Sequence, residues 1–405
     1  MSDREFISLD DIKLAADRLA NVVKFTPLEY NNTFSMTSGA GVYLKLENLQ
    51  RTGSFKVRGA YNCIQAMDEK KRAKGVIAAS AGNHAQGVAL GASAAGVKSI
   101  IVMPEIAPLP KVAATRSYGA EVVQCGTVYD EAYEEALRLQ EDCGYTFVHA
   151  FDDLDVIAGQ GTIGLEIMQQ QPDIEAVVVP VGGGGLIAGV ATAIKTVAPH
   201  VKVYGVQASG APAAYLSRNA GKPMETAQAH TLADGIAVKR PGDITFRHIQ
   251  KYVDDIFVVK DEDIAASILL LLERSKLVVE GAGAVGLTAI LHNCVPHHNK
   301  IATVISGGNI DINFVSRIIE NGLVKAGRRI KLMTNLVDRP GELRKFITTI
   351  AENQANIVYI YHEHAGQNLP IGHTSVEMDL ETRDTKHAET VVASLRQAGY
   401  QVEMS

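Results

Sequence analysis

A chain of 405 residues with 46% hydrophobic content has room for roughly two or three packed domains, which excludes intrinsic disorder. A net charge of −6 and the lack of any basic run leave no electrostatic footprint for nucleic acid or an anionic membrane, so a small neutral or zwitterionic ligand is expected. Cys63, Cys125, Cys143 and Cys294 are widely spaced with no Cys-x-x-Cys pair, and read as buried thiols in a reducing compartment.

The first segment, 1–25, carries Asp3, Glu5, Asp10 and Asp11 and lacks the basic start and apolar core of a signal peptide, which predicts a cytoplasmic protein. Ser8 and Asp11 have capping-box spacing and open a first helix. Short β-branched runs then alternate with helical patterns. Strands are predicted over 42–46, 75–79, 99–103, 121–124, 146–149, 176–181, 202–207 and 301–305, and helices over 83–95, 129–142, 159–171, 186–197, 261–275 and 311–325. Near-continuous apolar strands followed by helices imply an α/β fold with parallel sheets covered on both faces and ligands at the carboxyl ends of the strands. The uncharged stretch 176–194 could span a bilayer by length, but Pro180 and the glycines that follow break it into strand, loop and helix.

The pattern changes near Gly327. A strand over 329–336, a helix over 342–353, strands over 357–364 and 373–380 joined by 366–372, a helix over 386–399 and a strand over 400–404 make a βαββαβ, ferredoxin-like order. The expected division is therefore 1–325 and 326–405.

Several segments carry candidate chemistry. Lys56 lies where the amphipathic run 55–67 meets a Ser54 cap, among small and apolar neighbours. Desolvation there would lower its pKa and suit it to form an imine with an aldehyde such as pyridoxal phosphate; a lysine snorkelling from a first helical turn is the plain alternative. Ser80-Ala81-Gly82-Asn83-His84 follows one strand and opens a helix, so its amides would face an anion, a substrate carboxylate being the natural one; an ordinary turn capped by Asn83 is the alternative. Gly182-Gly183-Gly184-Gly185-Leu186 joins another strand to another helix, and four glycines in a row suit a phosphate cradle. No Lys-Ser or Lys-Thr follows, so it is not a Walker loop.

Gly281-Ala282-Gly283-Ala284-Val285-Gly286 matches the dinucleotide fingerprint and raises a nicotinamide oxidoreductase as the rival enzyme class. It falls late in the sheet, however, and lacks the acidic residue expected at the end of the next strand, which favours close helix packing. Ser306, at the end of the last strand of the sheet, could hydrogen-bond a ring nitrogen without holding it protonated. His362 and His364 share a strand face and could ligate a metal, but exposed strand histidines are usually solvated, as are His297 and His298.

Taken in order, TGSFKVRGA, SAGNHAQG, VGGGGL and SGGN resemble the motifs of the fold type II pyridoxal-phosphate enzymes, and among them the threonine ammonia-lyase (threonine dehydratase) family. The resemblance covers roughly Thr26 to Lys325 and implies a two-lobed, tryptophan synthase β-like catalytic region, its smaller lobe spanning roughly 50–150. It implies that Lys56 binds pyridoxal 5'-phosphate covalently and removes the substrate α-proton. Phe55 would pack on the ring, Asn83 bond its phenolic oxygen, Gly182, Gly183, Gly184, Gly185 and Leu186 hold the phosphate, and Ser306 meet the ring nitrogen. Ser80, Ala81, Gly82, Asn83 and His84 would take the substrate carboxylate. The β-hydroxyl would leave with the cofactor phosphate as acid, giving 2-oxobutanoate and ammonia, with L-serine expected as a second substrate.

Two departures are informative. Racemases of this fold carry a second serine where Ala81 stands, which disfavours racemisation. Relatives with a divalent-metal site have an acidic residue just before the segment Thr231-Leu232-Ala233-Asp234-Gly235, where His230 stands, which speaks against Mg²⁺ or Ca²⁺. The C-terminal module resembles an ACT domain through Val337 and the turn Asp338-Arg339-Pro340-Gly341-Glu342-Leu343, implying an amino-acid effector, isoleucine or valine, and a homo-oligomer, dimer or tetramer. A serine dehydratase, a racemase or a threonine synthase on the same scaffold, and a non-catalytic amino-acid-binding regulator, are the alternatives.

Overall fold

The computed structural model describes residues 4–364 and 369–404, so the expected 366–372 connection lies partly outside them. Contacts divide the chain into two compact units, Met1–Ile310 and Asp311–Ser405. The helix Ile312–Lys325 thus clusters with the second unit, whereas the sequence pattern places it with the first.

In the first unit, the Ser8–Asp11 capping box forms as its spacing predicts and opens the helix Leu9–Leu19. Six strands make the larger sheet in the spatial order Leu28–Tyr30, Gly41–Lys45, Lys300–Val304, Ala176–Pro180, Lys202–Ala208, Asp255–Val259. All neighbours pair in parallel except Leu28–Tyr30, an antiparallel edge. The two outermost strands are additions to the predicted set. Both lie at sheet edges, where half-exposed residues leave little apolar run to read. The smaller sheet, Glu121–Gln124, Ser99–Met103, Val76–Ala79, Thr146–Phe147, is wholly parallel.

The central strands of both sheets are buried on two faces, as their continuous Val/Ile runs require: every residue of Ala176–Pro180 and of Ser99–Met103 is buried. Three further differences have local causes. The helix predicted from 159 begins at Leu154, because Asp153 accepts from the amides of Asp155 and Val156 at 2.8 and 2.9 Å. The helix predicted over 261–275 is α-helical only over Asp261–Leu270 and closes in a π turn, Leu271–Ser275. Of the cysteines only Cys63 is buried; Cys143 ends the helix Tyr129–Cys143 and is exposed, and Cys125 and Cys294 are half-buried.

An ionic cluster, almost wholly buried, joins the helix Lys56–Ala66 to the strand Gly41–Lys45 and the helix Leu154–Gln170. Arg58 grips Glu47 with two hydrogen bonds of 2.7 and 2.8 Å and reaches Glu166 at 2.6 Å, while Lys45 reaches Glu166 at 2.5 Å and the Thr26 carbonyl at 2.6 Å. Two cations meet two carboxylates, so the cluster is neutral. Burial would push the Glu47 carboxyl up, but the Arg58 guanidinium holds it below the usual range. Arg58 lies two residues beyond Lys56, so this cluster anchors the helix that carries the lysine.

The second unit has the βαββαβ order, with antiparallel strands Asn356–Glu363, His373–Glu381, Arg329–Val337, Val402–Met404 side by side and helices Glu342–Glu352 and Thr385–Gln397. Arg329–Val337 alternates strictly, burying Ile330, Leu332, Thr334 and Leu336. Asn356–Glu363 is an edge strand that leaves Tyr359 and Tyr361 about half exposed.

Candidate active site

The segments singled out from sequence converge on one cleft of about 910 Å³ between the carboxyl ends of the two sheets of the first unit. Phe55, Lys56, Ser80, Ala81, Gly82, Asn83, His84, Gly182, Gly183, Gly184, Gly185, Leu186 and Ser306 all line it. This is the crevice position expected of parallel sheets.

Lys56 is the first residue of the helix Lys56–Ala66. The predicted Ser54 cap is absent: Phe55 occupies the cap position without a side-chain bond, and Ser54 Oγ is buried without a partner. Ser54 is committed instead to an antiparallel bridge with Gly307, flanked by Phe55 N–H donating to the Ser306 carbonyl at 3.1 Å and Gly308 N–H to the Gly53 carbonyl at 2.8 Å. The backbone carrying Lys56 is thereby stitched to the turn carrying Ser306. Lys56 Nζ donates to the Ala150 carbonyl at 2.8 Å and lies 5.4 Å from the Phe55 ring centre. Burial lowers its pKa to about 8, against the opposing attraction of Glu280.

After the strand Val76–Ala79 the chain turns at Ser80, whose Oγ accepts from Gly82 N–H at 3.2 Å, and enters the helix Asn83–Ala94 with Gly82 as its cap. The first amides of that helix lack intrahelical partners and face the cleft. Asn83 does not cap: its side chain is bound by Glu280 and Asn309. The His84 ring turns away to the Val148 carbonyl at 2.8 Å and, desolvated and close to Lys56, has its pKa pushed down to about 3. It is neutral, so it can offer the cleft only its backbone amide.

The four glycines join the strand Ala176–Pro180 to the helix Gly185–Val197. Gly184 has φ +99°, and a Cβ on Gly183 would fall 2.4 Å from the Phe151 ring. Thr245 Oγ1 holds the Gly183 carbonyl at 2.7 Å. Phe151 and Thr245 thus clamp the loop from below, and neither carries a sequence motif.

Glu280 is a further cleft residue that no motif marks. It lines the cleft, 4% exposed, and burial together with the nearby Asp234 carboxylate pushes its pKa up to about 7. The available signal was a lone charge in the apolar run Leu277-Val278-Val279-Glu280-Gly281-Ala282. The fingerprint that follows forms the buried helix Gly281–Leu291.

Outside the cleft, the turn 338–341 leads into the helix Glu342–Glu352 with Gly341 as its cap. His364 Nδ1 lies 3.3 Å from Asp338 Oδ2 and its ring 4.7 Å from that of His362. His297 and His298 contact the Gly39 carbonyl and the Tyr204 hydroxyl. Thr231 and the Leu232 amide are tied to Asp261 at 2.5 and 2.9 Å.

A buried amine of lowered pKa, a glycine cradle at a helix N-terminus and a hydroxyl at a strand end fit the aldehyde, phosphate and ring nitrogen of pyridoxal phosphate. Residues 19–307 match the family model described as pyridoxal-phosphate dependent enzyme. The chain belongs to this family. Its members include an L-threonine ammonia-lyase of Thermotoga maritima, 52% identical over 398 residues, 98% of this chain and 99% of that one. Among solved structures, the processed threonine deaminase isoform 2 of Solanum lycopersicum superposes with a TM-score of 0.75 at 40% identity, covering 79% of this chain and 88% of that one. Maize serine racemase gives 0.74 at 34%, covering 78% and 98%. Family membership removes the nicotinamide alternative and makes pyridoxal phosphate the cofactor. No helix among the described residues is long and apolar enough to cross a membrane.

Proposed function

We propose that the protein is an L-threonine ammonia-lyase, releasing 2-oxobutanoate and ammonia from L-threonine and accepting L-serine. The observation that carries this reading is the Lys56 amine of lowered pKa in the same cleft as the glycine cradle, in a chain that matches the Thermotoga enzyme along nearly its whole length. When bound, pyridoxal phosphate supplies the electron sink that acidifies the substrate α-carbon. Lys56 would anchor it, and the free Lys56 amine would remove the α-proton, for which a pKa of about 8 suits neutral pH. Gly182 to Leu186 would hold the phosphate through their amides, and Phe55 would cover the ring. Asn83 would donate to the phenolic oxygen, and Ser306 would meet the ring nitrogen without protonating it. Ser80 and the amides of Ala81, Gly82, Asn83 and His84 hold the substrate carboxylate.

The racemase likeness is a second reading, and Ala81 argues against it: it stands in the cleft lining at the position where racemases of this fold carry a second serine, and its methyl group cannot return a proton to the α-carbon. The C-terminal unit we assign to amino-acid sensing through Asp338, Arg339, Pro340, Gly341, Glu342 and Leu343, with isoleucine as effector, valine as antagonist and a coupling of about 1–3 kcal/mol. The unpaired edge Asn356–Glu363 offers a pairing surface for a homo-oligomer. Unpaired cysteines accord with a cytoplasmic location.

The test is a steady-state assay of 2-oxobutanoate, pyruvate and D-serine formation, with and without isoleucine. Lys56→Ala should lower elimination at least about 100-fold, and borohydride should fix the cofactor to the Lys56 peptide of the parent. A colourless parent, or D-serine formed faster than pyruvate, would sink the proposal.

A further inference from the structure

Glu280 has no part in the roles above, yet it is a buried carboxylate in the same wall as Lys56. Its hydrogen-bond chain has a fixed direction. The Thr52 carbonyl can only accept, so Asn309 must present its amide nitrogen there, at 2.8 Å. That nitrogen also reaches Asn83 Oδ1 at 2.6 Å, which leaves Asn83 to present its own nitrogen to Glu280 Oε1 at 2.7 Å. The second hydrogen of the Asn83 amide has no partner among the described residues, and Asn83 lines the cleft. Gly307 permits the arrangement, since a Cβ there would lie 2.1 Å from Glu280 Oε1.

We propose that Glu280 is a positioning residue for the reaction: its carboxylate fixes the Asn83 amide with one N–H left for the cofactor ring, and its charge acts on the Lys56 amine in the cleft that both line. This rests on the reading of Lys56 as the attachment point. The charged groups around Glu280 are Lys56, Asp234 from the turn Asp234–Ile236, and Lys111 from the helix Leu109–Ser117. Asp234 acts on Glu280 more strongly than either cation and also pairs with Lys111 at 3.4 Å; Lys56 is the other cation that acts on Glu280, and the pull is mutual. His84, also beside Lys56, is neutral. A carboxylate so placed favours the ammonium form of Lys56 against burial, so removing its charge should free the amine at lower pH.

Two variants separate the two effects. Glu280→Gln keeps an acceptor for Asn83 but removes the charge; Glu280→Ala removes both. Pyridoxal-phosphate dissociation from the full-length holoenzymes, followed by visible absorbance on dilution, should be about 10- to 100-fold more favourable in Glu280→Ala and close to the parent's in Glu280→Gln. The acid limb of the kcat profile should move to lower pH in Glu280→Gln, and at a pH below the limb the rate should rise roughly tenfold for every pH unit by which the limb moves. Cofactor held as tightly by Glu280→Ala as by the parent, or a limb in Glu280→Gln that stays or moves up, would overturn the proposal. If Glu280→Ala does not fold, the limb of Glu280→Gln decides alone. A parent lacking the borohydride-fixed cofactor refutes the Lys56 reading instead, so the two failures are distinct.

Discussion

Gly183→Ala tests the cradle without touching any group that reacts. The new methyl would lie 2.4 Å from three carbons of the Phe151 ring, where carbon atoms pack best at roughly 3.5–4.0 Å, so loop and ring must part by about 1 Å. Phe151 is packed edge-on against His149, at 4.7 Å between ring centres, and Gly183 is held by Thr245, so neither side gives freely. Overpacking of this kind costs about 1–3 kcal/mol. If that strain lifts the amides from the phosphate, pyridoxal-phosphate affinity falls roughly 5- to 150-fold. Fluorescence or absorbance titration of the cofactor-depleted protein measures it, and pyridoxal without its phosphate is the control ligand. The phosphorylated ligand should lose affinity selectively, and Phe151→Ala in the same chain should restore part of it by clearing the space. Equal losses for both ligands, or no loss, would refute the assignment of this loop to the phosphate.

Arg58→Met leaves the buried Glu47 without its guanidinium partner and Glu166 with Lys45 alone, and should cost about 3–5 kcal/mol of stability in denaturant titration, with the cofactor lost before global unfolding. The pH dependence follows from Glu47, whose folded pKa is lowered: its contribution is present above the unfolded value of about 4.3 and is lost as pH falls, so the parent should lose stability on acidification while Glu47→Gln responds less. Ser306→Asp would set a carboxylate at a position that is 3% exposed in the cleft wall, favour a protonated ring and lower kcat for elimination; unchanged turnover would mean that Ser306 does not meet the nitrogen. A chain ending at Lys325 should remain active and lose its response to isoleucine, as read by threonine saturation curves with and without effector; an undiminished response would move the sensing site out of the C-terminal unit.

What could be read from sequence was whatever a short stretch of chain decides for itself. Asp11 caps with Ser8 because three residues separate them, Ala176–Pro180 is a strand because its apolar run is continuous, and Gly184 marks a turn because its φ of +99° suits no side chain. The βαββαβ order of the C-terminal unit was legible for the same reason, since Arg329–Val337 alternates residue by residue. Ser54 marks where local logic failed: a good capping residue by type, it was claimed by a bridge to Gly307, more than two hundred positions away. The same holds for Glu280 against Asn83, 197 residues apart, and for Arg58 between Glu47 and Glu166. The charges of Glu280 and Arg58 are buried against partners that include distant segments, and a buried charge without such partners would cost several kcal/mol. Local sequence therefore determined which segments could bind a phosphate or present an amine, and only the tertiary fold decided which carboxylate faces that amine and which ring supports the cradle.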